Sequence, residues 1–333
     1  MQYNKFGRTG LEVSELCLGA LQFGWLSNAS EAFRLLDSFR EGGGNFIQAA
    51  TVASSENLLT QPEETLGKWL RQRSMEREKL VLATRILFPS QCPTKRKSIA
   101  GLVRDSCEAS LRRLGTSHLD LLVCEWGDAL QPVNGSVRPI DELLTGLEHL
   151  TQAGKIRYAV TSGFPNWRVM EALSRADRLR GCRFEAIQQK FSLLDQENFR
   201  TEMRPMVQEY RLGVIAQSPL ASGFLTGKYG RSTGLHVSPR ARHLSMRYAN
   251  ERNFNVLHEL SEISHELHTT PAQVALKWVL HHKFITSTVI GCQHSKHIQS
   301  SLEATHLNLT DNHLDRLAHA GRSANSQSKL LVS

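Results

Sequence analysis

The chain has 333 residues, a hydrophobic content of 40%, a charged content of 22% and a formal net charge of +8. These values describe a soluble globular protein with an ample core and exclude a disordered chain. The sequence contains no run of about 18 apolar residues, so we expect no membrane span.

Short strand-like runs alternate with amphipathic helical patterns along the chain. The predicted strands cover 16–19, 45–48, 80–85, 119–125, 156–162, 186–188, 213–217 and 287–291. Helical patterns lie between them, for example at 64–71 and 99–114. Thr270-Pro271-Ala272-Gln273 predicts a helix start, with Thr as N-cap and Gln at the third position. Two helices precede the last strand, and a helix around 314–320 closes the chain.

Alternating strands and helices with nearly continuous apolar strands favour a parallel sheet covered by helices. Eight such units predict an α/β protein with a (β/α)8 TIM barrel, an N-terminal β-hairpin and extra helices near the C-terminus. We expect one barrel domain over residues 1–333. A doubly wound sheet is the alternative, but no GxGxxG motif follows a first strand.

Several features argue against metal, nucleic-acid and secreted classes. The six cysteines have no CxxC spacing, which indicates reduced thiols in a cytoplasmic protein without a zinc site. The fourteen histidines show no HExxH spacing, so we expect no metal. The basic residues are dispersed and accompany no nucleic-acid-binding motif. The N-terminus carries no signal-peptide pattern.

In such a barrel, ligand chemistry belongs at the C-terminal ends of the strands. Polar residues stand at six of the predicted ends: Gln48, Arg85, Glu125, Ser162, Gln188 and Gln217. The loops that follow strands add candidate ligand-pocket aromatics at Trp25 and Trp126. The segment 229–252 is predicted to lie over the pocket, and its Tyr248 is the one candidate for a relocated proton donor.

Many ordered runs resemble the aldo-keto reductase superfamily. They lie at residues 6–14, 18–19, 23–25, 43–47, 107–116, 154–157 and 218–229. The resemblance covers nearly the whole length. It implies a barrel that passes hydride from a nicotinamide cofactor to a carbonyl while a tyrosine protonates the product.

The family's catalytic Asp, Tyr, Lys and His fall here on Gln48, Ala53, Arg85 and Glu125. Ala53 has no proton to give, and general acid catalysis needs a titratable group within reach. The guanidinium group of Arg85 is planar and spreads its charge over several N–H donors, whereas the ammonium group of lysine is a compact charge. Gln48 supplies no counter-charge. One steroid-reducing branch of the family also carries Glu at the His position and reduces a C=C bond, but it keeps its Tyr and Lys.

The substitutions conserve charge at the base of the pocket. A buried charge is tolerated only with a partner, so Arg85 and Glu125 are predicted to neutralise each other. Two interpretations stay open: a pocket kept folded and reused, or a structural salt bridge that fills a pocket without activity.

The cofactor contacts that the resemblance implies are also altered. Ser162 and Gln188 match contacts to the nicotinamide carboxamide, but Gly163 replaces the usual Asn and Gln217 replaces the stacking aromatic. The late phosphate motif has lost its arginine, with Gln293 in its place. These losses predict that no cofactor is bound.

Three functions follow from the sequence. The first is a repurposed enzyme with non-redox acid–base chemistry, such as cyclisation, dehydration or isomerisation, or a non-catalytic binding protein. The alternative is an NADPH-dependent oxidoreductase with rearranged catalytic residues. The third is an interaction subunit of a larger assembly. The expected partner is a small-molecule metabolite, with no nucleic acid and no membrane, and with oligomerisation left open.

Overall fold

The structure is a computed structural model that describes residues 1–24, 27–52, 60–73, 77–88, 98–125, 139–197, 199–228, 244 and 246–321. A two-stranded antiparallel hairpin, β1 (Tyr3–Lys5) and β2 (Glu12–Ser14), opens the chain. Eight parallel strands then close into a barrel. They are β3 (Leu16–Gly19), β4 (Phe46–Val52), β5 (Val81–Leu87), β6 (Leu119–Glu125), β7 (Ile156–Ser162), β8 (Phe184–Lys190), β9 (Gly213–Gln217) and β10 (Ser287–Gly291).

Helices surround the barrel. The described ones are α1 (Ala29–Glu41), α2 (Gln61–Gln72), α3 (Ile99–Leu114), α4 (Pro139–Gln152), α5 (Asn166–Leu179), α6 (Arg204–Tyr210), α7 (Glu251–Glu266), α8 (Pro271–Leu280), α9 (Ser295–His306) and α10 (Asp311–Ala320). None of the helices in the described part of the chain is both long and apolar enough to cross a membrane. The predicted TIM barrel with its hairpin and its extra C-terminal helices is confirmed.

Local sequence signals account for the helix ends. Ser98 accepts a hydrogen bond from the backbone N–H of Gly101 at the start of α3, and Gly115 ends that helix with φ of 67°. The predicted start of α8 is a complete capping box: Thr270 and Gln273 each bond the other's backbone.

Strand alternation separates two cores. The inner faces of the strands pack inside the barrel, with Val123, Val160 and Ala186 among the fully buried side chains there. The outer faces pack against the helices. The hairpin plugs the N-terminal end, where the ring of Phe6 lies edge-on to Phe46 at 6.2 Å. A plugged lower end leaves the C-terminal end as the site for a ligand.

The plug depends on Gly7. Its φ of +58° is a left-handed conformation, and an added Cβ would lie 2.8 Å from the backbone N of Gly213 and 2.9 Å from the Glu185 carbonyl oxygen. Only glycine fits such a close approach between hairpin and barrel.

Candidate functional site

The polar residues predicted at the strand ends lie together at the C-terminal mouth. Each stands two residues beyond a barrel-lining residue of its own strand, as Arg85 does after Ala83 and Glu125 after Val123. Because side chains alternate along a strand, all of them face inward. Sheet register sets Glu125 beside Ser162, and Ser162 beside Gln188.

Gln48 and Gln188 cross the lumen. Their strands, β4 and β8, are four strands apart in either direction around the barrel. Each side-chain amide donates to the other's carbonyl oxygen at 3.1 Å. Both residues are buried, with exposures of 5% and 1%. This reciprocal pair forms the floor of the pocket and still leaves each amide one N–H to donate.

Arg85 and Glu125 form the predicted pair between neighbouring strands. Nη1 of Arg85 lies 3.1 Å from Oε2 of Glu125, with side-chain exposures of 10% and 32%. This is an ion pair by distance only, since Oε2 has no hydrogen-bond donor and the buried Nε of Arg85 no acceptor among the described residues. Burial lowers the pKa of Arg85 from its ordinary value, and the charge of Glu125 opposes that shift. The guanidinium stays charged and keeps an uncommitted N–H.

A glycine opens the wall beside this pair. Gly163 follows the buried Ser162, and its backbone N–H donates to the carbonyl oxygen of Gln188 at 3.0 Å. It is exposed, its φ is +67°, and an added Cβ would meet no atom within 4 Å. Asparagine, unlike most residues, adopts this conformation readily, so the space of the family's Asn side chain is open.

A strained loop leaves the mouth after β9. Gln217 is half-buried at the strand end, and Ser218 follows with φ of 57°. Ala221, Ser222 and Gly223 then adopt three successive positive φ angles of 47°, 58° and 100°. Non-glycine residues hold such angles only where the surrounding structure determines them, and they cluster at ligand sites.

The structure commits the hydroxyl of Tyr248 elsewhere. It donates to Oδ2 of Asp195 at 2.8 Å, and the ring packs on Phe224 with centroids 5.6 Å apart. The side chain is 4% exposed, and burial, together with the negative charge of Asp195, raises its pKa. These contacts speak against a relocated proton donor, and a role for Tyr248 in the ligand pocket stays a prediction. Asp195 carried no signal in the sequence.

The remaining candidates, Trp25, Ala53 and Trp126, lie outside the described residues. Within the described ranges, no group of three or more His, Cys, Asp or Glu side chains could hold a metal ion.

Sequence reasoning also missed a buried brace behind the pocket. Glu63 of α2 is fully buried and accepts from Nε of Arg113 at 2.6 Å. It also accepts from the hydroxyl of Thr84, the neighbour of Arg85 in β5, while Arg113 donates to Thr51 of β4. The brace ties two helices to the two strands that carry Gln48 and Arg85. Nothing in the spacing of these residues indicates it.

Comparison with known proteins gives a consistent result over the whole barrel. A sequence profile described as "Aldo/keto reductase family" matches residues 15–322. The chain is 32% identical to "Uncharacterized oxidoreductase YrpG" of Bacillus subtilis (strain 168), over 93% of this chain and 92% of that protein. It is 30% identical to "Protein tas" of Escherichia coli (strain K12), over 93% and 95%. It is 28% identical to "Probable voltage-gated potassium channel subunit beta" of Arabidopsis thaliana, over 91% of each.

Proposed function

The chain belongs to the aldo/keto reductase family, and from this premise we propose that it is an NADPH-dependent oxidoreductase with rearranged catalytic residues. Replacement of the family's catalytic Asp, Tyr, Lys and His by Gln48, Ala53, Arg85 and Glu125 favours a non-redox enzyme or a binding protein. A relative that is named an oxidoreductase gives more support to the other hypothesis, an oxidoreductase with rearranged catalytic residues. The expectation that no cofactor binds is therefore given up. The proposed substrate is an electron-poor carbonyl compound.

The residues at the mouth fit the nicotinamide end of such a cofactor. Gln188 keeps one amide N–H beyond its bonds to Gln48. Ser162 lies beside it in the sheet, and the open space at Gly163 obstructs nothing. The strained turn from Ser218 to Gly223 leaves the same mouth and would lie along the chain of phosphates. Bound NADPH would supply the hydride.

One observation carries the proposal: the buried guanidinium of Arg85 has an Nε–H without a partner among the described residues. Reduction of a carbonyl places negative charge on the substrate oxygen. A fixed cation in a water-poor site stabilises that charge without reorganisation, and removing one such donor typically lowers kcat by about 10²–10³. Glu125 orients the guanidinium through the contact with Nη1.

The proton comes from water in this mechanism. Gln48, Gln188 and Gln217 do not titrate, and Arg85 remains charged. Glu125 is one-third exposed, so water reaches the pair from the mouth. Without a positioned acid, the oxyanion must be weakly basic. A 1,2-diketone meets this condition, because the adjacent carbonyl withdraws electrons, whereas a simple aldehyde does not.

The test is consumption of NADPH with a 1,2-diketone and, as a comparison, a simple aldehyde. We expect the diketone to be reduced faster, with a primary isotope effect when the transferred hydrogen of NADPH is deuterium. Arg85→Gln should lower kcat about 10²-fold or more. Arg85→Lys keeps the charge and should retain an intermediate rate.

Titration of the protein with NADPH separates binding from chemistry. Absence of saturable binding up to about 1 mM, the upper end of ordinary KM values, would contradict the proposal. So would an Arg85→Gln variant that folds and keeps the full rate.

A further inference from the structure

A second cavity lies at the opposite end of the barrel. It has a volume of about 400 Å³, within the usual range for small-molecule sites. Its walls include Arg157 and Arg183 near the starts of β7 and β8, and Arg180 at the end of α5. Arg8 of the N-terminal hairpin completes the rim. Parallel strands begin at the end away from the mouth, so this cavity is separate from the site described above.

The lining is strongly basic. Four arginines and two acidic residues, Asp177 and Glu185, contribute side chains or backbone to the wall. The lining therefore carries an excess of positive charge. Such an excess in a concave site raises the local concentration of anions.

Three of the arginines are held in place by the protein. Nη1 of Arg157 lies 3.0 Å from Asp120, and Nη2 of Arg183 donates to the carbonyl oxygen of Tyr210 at 3.2 Å. Nε of Arg8 lies 3.2 Å from Oε2 of Glu185. Arg157 and Arg8 remain about half exposed, at 48% and 52%. Two guanidinium groups therefore have free N–H donors for a ligand, while Arg183 shapes the wall.

Arg180 has no hydrogen-bond or ion-pair partner for its side chain within the described ranges. It is the C-cap of α5, with φ of 49° and ψ of 37°, in the left-handed region where glycine is the usual residue. The residue is exposed. The left-handed backbone conformation disfavours an arginine at this position, and no contact with the described residues compensates for it. The charge of Arg180 is therefore available to a ligand.

Glu185 adds a requirement beyond charge. Its Oε2 is buried and accepts no hydrogen bond from the described residues, although Arg8 lies at ion-pair distance. A buried acceptor without a donor is costly. A ligand hydroxyl could satisfy it once the half-exposed Arg8 side chain turns away to the phosphate, whereas a second anion at that point would be repelled.

We propose that this cavity binds a small phosphorylated metabolite that carries hydroxyl groups, such as a sugar phosphate. The forked guanidinium groups match the geometry of a phosphate and bond it strongly. Arg180, Arg157 and Arg8 contact the phosphate, and Glu185 accepts from a hydroxyl. The proposal does not depend on the oxidoreductase activity.

Calorimetric titration with ribose 5-phosphate and with inorganic phosphate tests the site. We expect both to bind the full-length protein, the sugar phosphate more tightly. Arg180→Gln should weaken both about tenfold, which corresponds to one charge-assisted hydrogen bond. Arg178→Gln is the matched control: it makes the same charge change on the same helix, and its side chain bonds only Ser174 among the described residues. The control should stay within about twofold, since distant exposed charges are screened by salt.

Glu185→Gln tests the hydroxyl contact separately. It should leave inorganic phosphate bound at least as tightly and reduce the advantage of ribose 5-phosphate. No binding of either probe at concentrations on the order of 10 mM would overturn the proposal. Equal losses of affinity in Arg180→Gln and Arg178→Gln would also overturn the proposal, because they would reflect the net charge of the protein alone. Since Arg180 lies far from the mouth, phosphate bound at a cofactor site would survive its substitution, and that result counts against the cavity.

Discussion

The ion pair between Arg85 and Glu125 gives a quantitative prediction about stability. Two unit charges 3.1 Å apart interact by about 1 kcal/mol in a water-like medium and about 5 kcal/mol at an effective dielectric constant of 20. Arg85 is nine-tenths buried, but Glu125 is one-third exposed, so solvent screens part of the attraction. We expect a coupling free energy of roughly 1–3 kcal/mol.

The single substitutions should differ because the two partners differ in burial. Glu125→Gln leaves a buried guanidinium without a counter-charge, and we expect a loss of about 3 kcal/mol in the free energy of unfolding. Arg85→Met leaves a carboxylate that can reach water and should lose about 1–2 kcal/mol. The double variant should lose less than the sum of the two.

Urea denaturation of the four proteins, read as a double-mutant cycle, measures the coupling. Arg178→Met is a suitable control, since this exposed arginine bonds only within its own helix and should change stability by less than about 0.5 kcal/mol. Additive losses would show that the pair does not interact. A larger loss for Arg85→Met than for Glu125→Gln would refute the reasoning from burial.

Three further predictions test single residues. Gly163→Asn should lose less than about 1 kcal/mol of stability, and Gly163→Val should lose more, because a β-branched residue resists φ of +67°. Thermal denaturation measures both losses. The Asn variant should also bind NADPH more tightly than the wild type. Thr270→Ala removes the N-cap of α8 and should cost about 1 kcal/mol, whereas Thr270→Ser should keep most of it. Because the fold raises the pKa of Tyr248, its protonated hydroxyl contributes to the free energy of unfolding. That contribution is complete below the ordinary tyrosine pKa of about 10, and it is lost as pH rises from there through the raised pKa of the folded protein. The stability difference between wild type and Tyr248→Phe should therefore shrink between about pH 9 and pH 11, and a difference that grows would contradict the assigned contact with Asp195.

The barrel could be predicted because its signals are local. Each strand is a short apolar run, and its inner and outer faces follow from strict alternation. This alternation predicts that Arg85 and Glu125 face the same mouth. Strand ends were less well defined: β4 continues to Val52 and β5 to Leu87, beyond their predicted ends at Gln48 and Arg85. Both continue because their neighbours pair with them, from Ala49 with Thr84 to Val52 with Leu87. This pairing joins two separate strands, so the sequence of neither strand alone indicates where it ends.

Contacts across the barrel could not be predicted. Gln48 and Gln188 are 140 positions apart, and their pairing depends on barrel closure and on the register of all the intervening strands. The buried pair of Glu63 and Arg113 likewise depends on how two helices pack. The sequence places Tyr248 only by its position in a loop, and that position gives no indication of its contact with Asp195.

The side chains at the mouth form one neutral pair and one charged pair. An aspartate at position 48 would place a carboxylate against Gln188, whereas an amide bonds that side chain in both directions. The cation at position 85 has its counter-charge on the adjacent strand, where Oε2 of Glu125 lies 3.1 Å from Nη1 of Arg85. The pair on neighbouring strands then leaves Nε of Arg85 uncommitted. Gln48→Asp would break the amide floor and add a second carboxylate to the mouth, so we expect it to lower stability unless Glu125 is changed with it.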